Sequence, residues 1–283
     1  MREVDVNDLP KWSPWPERIL HGWLPKERTP ESIKAEYDGI KYAASARFFA
    51  MEGSPTDPRV VRKHELGNDP SSETCVSDGK RLYVTTRMLA QARMSAMIFN
   101  EMRYAAKDCA TVVELGCGYG YNICALHDLI PDVQFLGGEL SENAVVMASD
   151  MFRGNPRVCV RAFDFLDPKT YALLDEAKGP LTVFTCHAVE QLRSARPLLD
   201  ELLARRNKVR CVVHFEPLPP VSVTTMLGLL RQRYLELNGY NRDLLECLRS
   251  READVDVVTM RRDVFGVNPL NPTSIVQWEP KCR

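Results

Sequence analysis

From Thr111 onward the chain runs in short apolar stretches separated by helix-forming ones. "TVVEL", "VQFLGGEL", "VCVRAF", "LTVFTC" and "VRCVVHFEP" are apolar almost throughout and too short for ordinary helices. Strands buried on both faces read this way, and they belong to parallel sheets covered by helices on either side. The segments between supply the helices: the glycine-rich passage after "VVEL", then "SENAVVMASDMF", "DPKTYALLDEA" and "SARPLLDELLARR". Strand–helix–strand units with right-handed crossovers predict a doubly wound, Rossmann-like α/β sheet. Two last runs, "VDVVTMRRDVFG" and "SIVQWEP", are joined by a proline-rich turn and predict a terminal antiparallel pair, making seven strands. A helical insertion over about 221–250 separates this pair from the fifth strand.

Residues 1–107 lack that rhythm and are expected to form a mainly helical cap and arm on the α/β domain of 108–283. The arm "WSPWPERILHGW" holds Trp12, Trp15 and Trp23 among prolines that forbid a continuous helix. Loose tryptophans in water are a liability, so the arm is read as a strap docked over the core. Thr29 and Pro30 then open a helix as N-cap and first helical residue, with Ile33, Tyr37, Ile40, Ala44 and Phe48 on one stripe. "VRKHELGNDPSSETCVSDGKRLYV", with Gly67, Pro70 and Gly79, reads as a loop-rich link. "TTRMLAQARMSAMIFNEMRYA" reads as another helix, its methionines facing core.

Charge narrows the partners. Lysine and arginine (37) nearly balance aspartate and glutamate (38), for a net charge of −1, so no footprint for nucleic acid exists. The nine cysteines are scattered, without the spacing of a disulfide framework or zinc site, which favours a reducing cytoplasm and no metal. The opening residues lack the apolar stretch of a signal peptide, and no run is long enough to span a bilayer. A small-molecule partner is expected; a homodimer is left open.

The loop Glu114-Leu115-Gly116-Cys117-Gly118-Tyr119-Gly120 follows the first strand, where ligands of such sheets bind. Glycine loops at helix N-termini usually welcome anions. Glu114 beside this one repels a pyrophosphate, and the third glycine falls one place early for a nicotinamide fingerprint. Glu139 ends the second strand, where a carboxylate can accept both hydroxyls of a ribose. Asp164 and Phe165 end the third, placed to accept from an adenine amino group and to cover the ring. A nucleoside with a cationic tail satisfies all three.

This constellation resembles the class I S-adenosylmethionine-dependent methyltransferases, over roughly residues 108–283. Their first motif is an acidic residue, one residue, then alternating glycines, matched by Glu114, Gly116, Gly118 and Gly120. The resemblance implies S-adenosylmethionine as cofactor, with Glu114 near its ammonium and sulfonium and Glu139 with Leu140 at the ribose. It places Asp164 and Phe165 at the adenine and Tyr121 beside the methionyl chain. The fourth strand ends in "TCHAVEQL", similar to a histidine and Glu-Gln pattern of sugar O-methyltransferases, and "HELGNDP" through "LAQA" is loosely similar to the segment before their cofactor domain.

His187 then stands near the cofactor as candidate general base for a hydroxyl acceptor, or as a histidine bonded to its own loop or to the cofactor carboxyl. Glu190 is the candidate to orient it or to bind an amine. Glu216, Tyr83 and Asn268 are candidates for facing substrate, and His214 for a satisfied core histidine. The expected function is methyl transfer to a small-molecule hydroxyl or amine in a capped pocket. Two alternatives share the cofactor: a cyclase of the azetidine-2-carboxylate synthase type, releasing methylthioadenosine, and a non-catalytic cofactor-binding scaffold.

Overall fold

The computed structural model describes residues 1–67, 69 and 71–281; Pro70 of the expected link lies outside them. Seven strands form the main sheet: β4 (Thr111–Leu115), β5 (Gln134–Glu139), β6 (Val158–Ala162), β7 (Leu181–Cys186), β8 (Val209–Glu216), β9 (Val255–Phe265) and β10 (Thr273–Pro280). Their order across the sheet is β6-β5-β4-β7-β8-β10-β9. The first five run parallel, and β10 is antiparallel to both β8 and β9. The order reverses beside β4, which opens a crevice above its carboxyl end.

Helices cover both faces. On one side α8 (Ala172–Glu176), α9 (Arg196–Ala204) and α11 (Leu244–Arg249) bury Leu174, Leu198 and Leu248 against Val113, Val183 and Trp278. On the other, α5 (Arg87–Ala105) and α6 (Tyr121–His127) bury Met94, Ile98, Met102 and Ile123 against Val112, Phe135 and Phe184. The methionine face of α5 is therefore core of the main sheet, and Thr182 Oγ1 donates to the Ala105 carbonyl at its end (2.8 Å). α7 (Glu142–Met151) is capped by Ser141, whose hydroxyl accepts from Ala144 N–H.

The N-terminal region departs from the sequence reading in two places. The expected link holds the end of α4 (Pro58–Glu65), which Asp57 caps, and most of a hairpin of β2 (Glu73–Asp78) and β3 (Arg81–Thr86). With β1 (Arg2–Val4) the hairpin makes a three-stranded antiparallel sheet, so the region is not all helical. The alternation in "RLYVTT", buried at Leu82 and Val84, and the Asp78-Gly79 turn were its signature.

The second departure is a π-helical stretch. Thr29 and Ser32 form a reciprocal capping box at the start of α2 (Pro30–Lys34), as its composition requires. Residues Ala35–Tyr42 then widen into a π-helix before α3 (Ala43–Met51). The wider turns break the 3.6 phase, so Ile40 of the expected stripe is 70% exposed while Tyr42 is buried.

The arm holds α1 (Trp15–Leu20), and Trp12 and Trp15 pack with Leu9, Leu82 and Tyr234 onto α10 (Met226–Asn238) of the insertion. Trp23 stays 47% exposed beneath Arg18. The arm thus straps the insertion and the hairpin. No helix among the described residues is long and apolar enough to cross a membrane.

Candidate active site

A cavity of about 590 Å³ opens at the carboxyl ends of β4, β5, β6 and β7, roofed by the 30–42 stretch, α4 and α5. Of the expected residues, Glu114, Gly116, Gly118, Tyr121, Glu139, Leu140, Asp164, Phe165, His187, Glu190 and Asn268 all line it. Gly120 does not; it is the N-cap of α6, in a left-handed conformation.

The glycine loop owes its path to two positions. At Gly116 (φ +79°) a side chain would overlap Ala188 of the β7 turn. At Gly118 (φ +55°) a Cβ would meet the Tyr42 hydroxyl at 2.5 Å. The loop is therefore pinched between the sheet and the roof.

Glu114 is 1% exposed. Asn122 Nδ2 donates to its Oε1 at 2.7 Å, while Oε2 has no partner among the described residues. Burial pushes its carboxyl up to about 8, against the lowering hydrogen bond from Asn122. Asn122, eight residues on in the loop-to-helix passage, went unnoticed in the sequence.

Glu139 is also buried and shifted upward by burial, with two backbone donors opposing: Gly118 N–H (2.7 Å) and Ser141 N–H (2.8 Å). Each oxygen takes one of these, leaving further lone pairs for other donors. Asp164 accepts from Leu166 N–H at 2.8 Å through Oδ1, and Oδ2 has no hydrogen bond among the described residues. Phe165 is half-buried and stands edge-on to Phe163, 5.1 Å between centroids.

The β7 turn carries the titrating group. His187 has φ +52°, a left-handed conformation rare for a side-chain-bearing residue. Its Nδ1 is 3.0 Å from Glu190 Oε2 and its Nε2 is 2.7 Å from Thr273 Oγ1. Glu190 accepts also from Asn271 Nδ2 and Gln191 Nε2, both at 2.9 Å. Burial lowers the imidazole pKa, but the Glu190 charge and hydrogen bond outweigh it, and the net direction is upward. A carboxylate only accepts, so Nδ1 carries the proton and Nε2 is the acceptor in the neutral ring.

Two expected substrate contacts are corrected. Glu216 is buried in the floor: Oε1 accepts from Ala188 and Val189 N–H (2.9 and 3.0 Å) and Oε2 from Glu190 N–H (3.1 Å). It hooks the His187 turn in place, and burial raises its carboxyl to about 7. Tyr83 packs under β3 against the α5 side of the sheet, away from the cavity. Its phase in the hairpin decides this, and the hairpin was unread. His214 is the satisfied core histidine expected: fully buried, bonded to Thr185 (2.9 Å) and Trp278 (3.1 Å), and lowered by burial to about 3.

The roof adds side chains from outside the glycine loop and the strand ends. Asp38 of the π-helical stretch accepts from Ser141 Oγ (2.6 Å) and Asn143 N–H (3.0 Å), fixing the roof to the start of α7. Tyr37, Lys41 and Tyr42 of that stretch reach the cavity, as do Arg62 and Glu65 of α4.

No protein-family model matches the chain, and no curated protein matches it in sequence. Solved structures do. Geranyl diphosphate C-methyltransferase from Streptomyces coelicolor A3(2), in complex with Mg2+, geranyl diphosphate and S-adenosyl-L-homocysteine, is 13% identical. The match covers 69% of this chain and 82% of that one, with a TM-score of 0.49. Magnesium protoporphyrin IX methyltransferase from Synechocystis PCC 6803 is 11% identical over 68% and 84%, TM-score 0.47. The N-terminal domain of EvdMO1 with S-adenosylhomocysteine bound is 16% identical over 81% and 99%, TM-score 0.46. The strand order stands independently of these overlaps. Numbered within the main sheet it reads 3-2-1-4-5-7-6, with only the seventh strand reversed. The chain therefore has the Rossmann-like fold of the class I S-adenosylmethionine-dependent methyltransferases.

Proposed function

We propose that the protein transfers the methyl group of S-adenosylmethionine to a hydroxyl or amine of a small molecule held in the capped cavity. The observation that carries this reading is the unpartnered Glu114 Oε2, buried beside the glycine loop. A buried carboxyl oxygen without a partner there asks for a cationic donor, beside which the group ionises. The rest of the cavity supports the same ligand. Glu139 has lone pairs left for two ribose hydroxyls, Asp164 Oδ2 is available to an adenine amino group, and Phe165 and Leu140 offer apolar faces to the ring.

Bound there, the cofactor would supply an electrophilic methyl group. The chain's own residues would align the acceptor, exclude water and manage one proton. In-line displacement needs alignment above all, which the roof residues serve. His187, its Nδ1–H held by Glu190, presents Nε2 to accept a proton from a hydroxyl. Thr273 now fills that position at 2.7 Å, so the acceptor's hydroxyl either replaces Thr273 or passes its proton through it. Within residues 1–107, the 30–42 stretch and α4 act as the cap in this reading.

Incubating the protein with labelled S-adenosylmethionine and a metabolite extract tests it by mass analysis. S-adenosylhomocysteine together with an acceptor heavier by one methyl is the expected result. Methylthioadenosine would instead identify the cyclase chemistry, and binding without either product would identify a scaffold.

A further inference from the structure

Arg62 reaches the cavity from α4, and its side chain is less committed than its surroundings require. Among the described residues it gives one hydrogen bond, Nη1 to Glu65 Oε2 at 3.1 Å. Its Nε is buried with no acceptor, and Nη2 has none among the described residues. Glu65 is a poor sole partner, because it also accepts from Tyr119 Oη (2.8 Å) and Ser45 Oγ (3.1 Å). A guanidinium offers five donors and keeps its charge at every physiological pH, so idle donors here favour an incoming anion.

Its position says which anion. The guanidinium lies 4.6 Å over the ring of Tyr121, the first residue after the glycine loop. It is close enough to Glu114 for its charge to draw that carboxyl's pKa downward, yet the two form no ion pair. One end of the cavity thus holds an unpaired acceptor, Glu114 Oε2, and unpaired donors on Arg62, each unsatisfied by the other. An α-amino acid zwitterion complements that pair, its ammonium on the glutamate and its carboxylate on the arginine.

We propose that Arg62 binds the α-carboxylate of the cofactor's aminoacyl end, which makes the N-terminal region part of the cofactor site and not only a lid on the acceptor. The proposal rests on the cofactor reading above. Because Glu65 also grips Tyr119 inside the glycine loop, α4 holds the loop and the ligand together.

The test is calorimetric titration of the full chain with S-adenosylhomocysteine and with its decarboxylated analogue, 5′-(3-aminopropyl)thioadenosine. The wild-type protein should prefer the carboxylated ligand about 10–100-fold, the range for a hydrogen bond between charged groups. Arg62→Ala should bind both alike, by losing affinity for S-adenosylhomocysteine while holding the analogue within about twofold. That retained affinity also reports a folded site. Arg62→Lys should recover part of the preference, since it restores charge without the fork. Equal loss of both ligands in Arg62→Ala, or an intact preference, overturns the assignment. So does a wild-type protein that binds both ligands equally. Binding of neither ligand by the wild type overturns the cofactor reading together with this one.

Discussion

Glu114 should make ligand binding a proton-releasing event. Burial holds its carboxyl at about 8 without ligand, so at pH 7 roughly nine molecules in ten carry the proton. An ammonium within hydrogen-bond reach lowers a carboxyl by about 1–3 units, and only the ionised form offers the charge it prefers. Binding of S-adenosylhomocysteine at pH 7 should therefore expel about half to one proton. Calorimetry in phosphate and in Tris, whose ionisation enthalpies differ widely, gives that number as the slope of observed enthalpy against buffer enthalpy. The slope should fall toward zero near pH 9, where the carboxylate is already ionised. Glu114→Gln should abolish most of the release and weaken binding by about 1.5–3 kcal/mol. Glu139 is raised by burial too, so the variant is what assigns the proton. A wild-type slope of zero at pH 7, or an unchanged slope in Glu114→Gln, would refute the reasoning.

The same carboxyl should show in the ligand-free protein. A folded pKa above the unfolded one contributes stability below about pH 4.5 that is lost as pH rises through 8, so Glu114→Gln should flatten the wild-type decline in Tm between pH 5 and 8.5. Glu216→Ala strands three buried N–H groups and should cost about 2–4 kcal/mol in chemical denaturation; an unchanged midpoint would return Glu216 to the list of substrate contacts. His187→Ala should lower turnover about 10²–10⁴-fold with affinity for S-adenosylhomocysteine retained. Since Glu190 raises the imidazole, the wild-type rate should fall below a midpoint above pH 6.5, and Glu190→Gln should move that midpoint down. Near-normal turnover of the alanine variant would leave alignment alone as the catalytic device. A fragment of residues 108–283 lacks α5, whose Met94, Ile98 and Met102 belong to the main core, and should be insoluble; a soluble fragment that binds ligand would contradict this.

What the sequence disclosed followed from periodicity and covalent position. Buried parallel strands cannot alternate, so "LTVFTC" and "VRCVVHFEP" announced themselves, and each strand end named the residue at the crevice: Glu139, Asp164, His187. Side-chain direction at those ends was less legible. Glu216 and His187 end neighbouring strands, but the turn after β7 folds back over β8 and claims the glutamate for its own N–H groups. The roof was illegible for another reason. A π-helical stretch has no periodic signature in composition, and its eight residues decide that Tyr42 meets Gly118. Arg62 looked like one charge among several in "VRKHE", because the orphaned donor that distinguishes it exists only after α4 is packed.

The strap of aromatic residues has a history in time as well as a place. Trp15 rests on Tyr234 at 4.6 Å between ring centroids, yet the two are more than two hundred residues apart along the chain. At ordinary rates of synthesis, about 5–20 residues per second, the tryptophan emerges on the order of 10–40 s before its partner. During that interval the sheet's early strands can pair while the arm has the β2–β3 hairpin but not α10 to cover. The nascent chain therefore passes through a period in which Trp15 lacks the ring it rests on. Closure of the first segment over one of the latest helices therefore waits until most of the chain has been made.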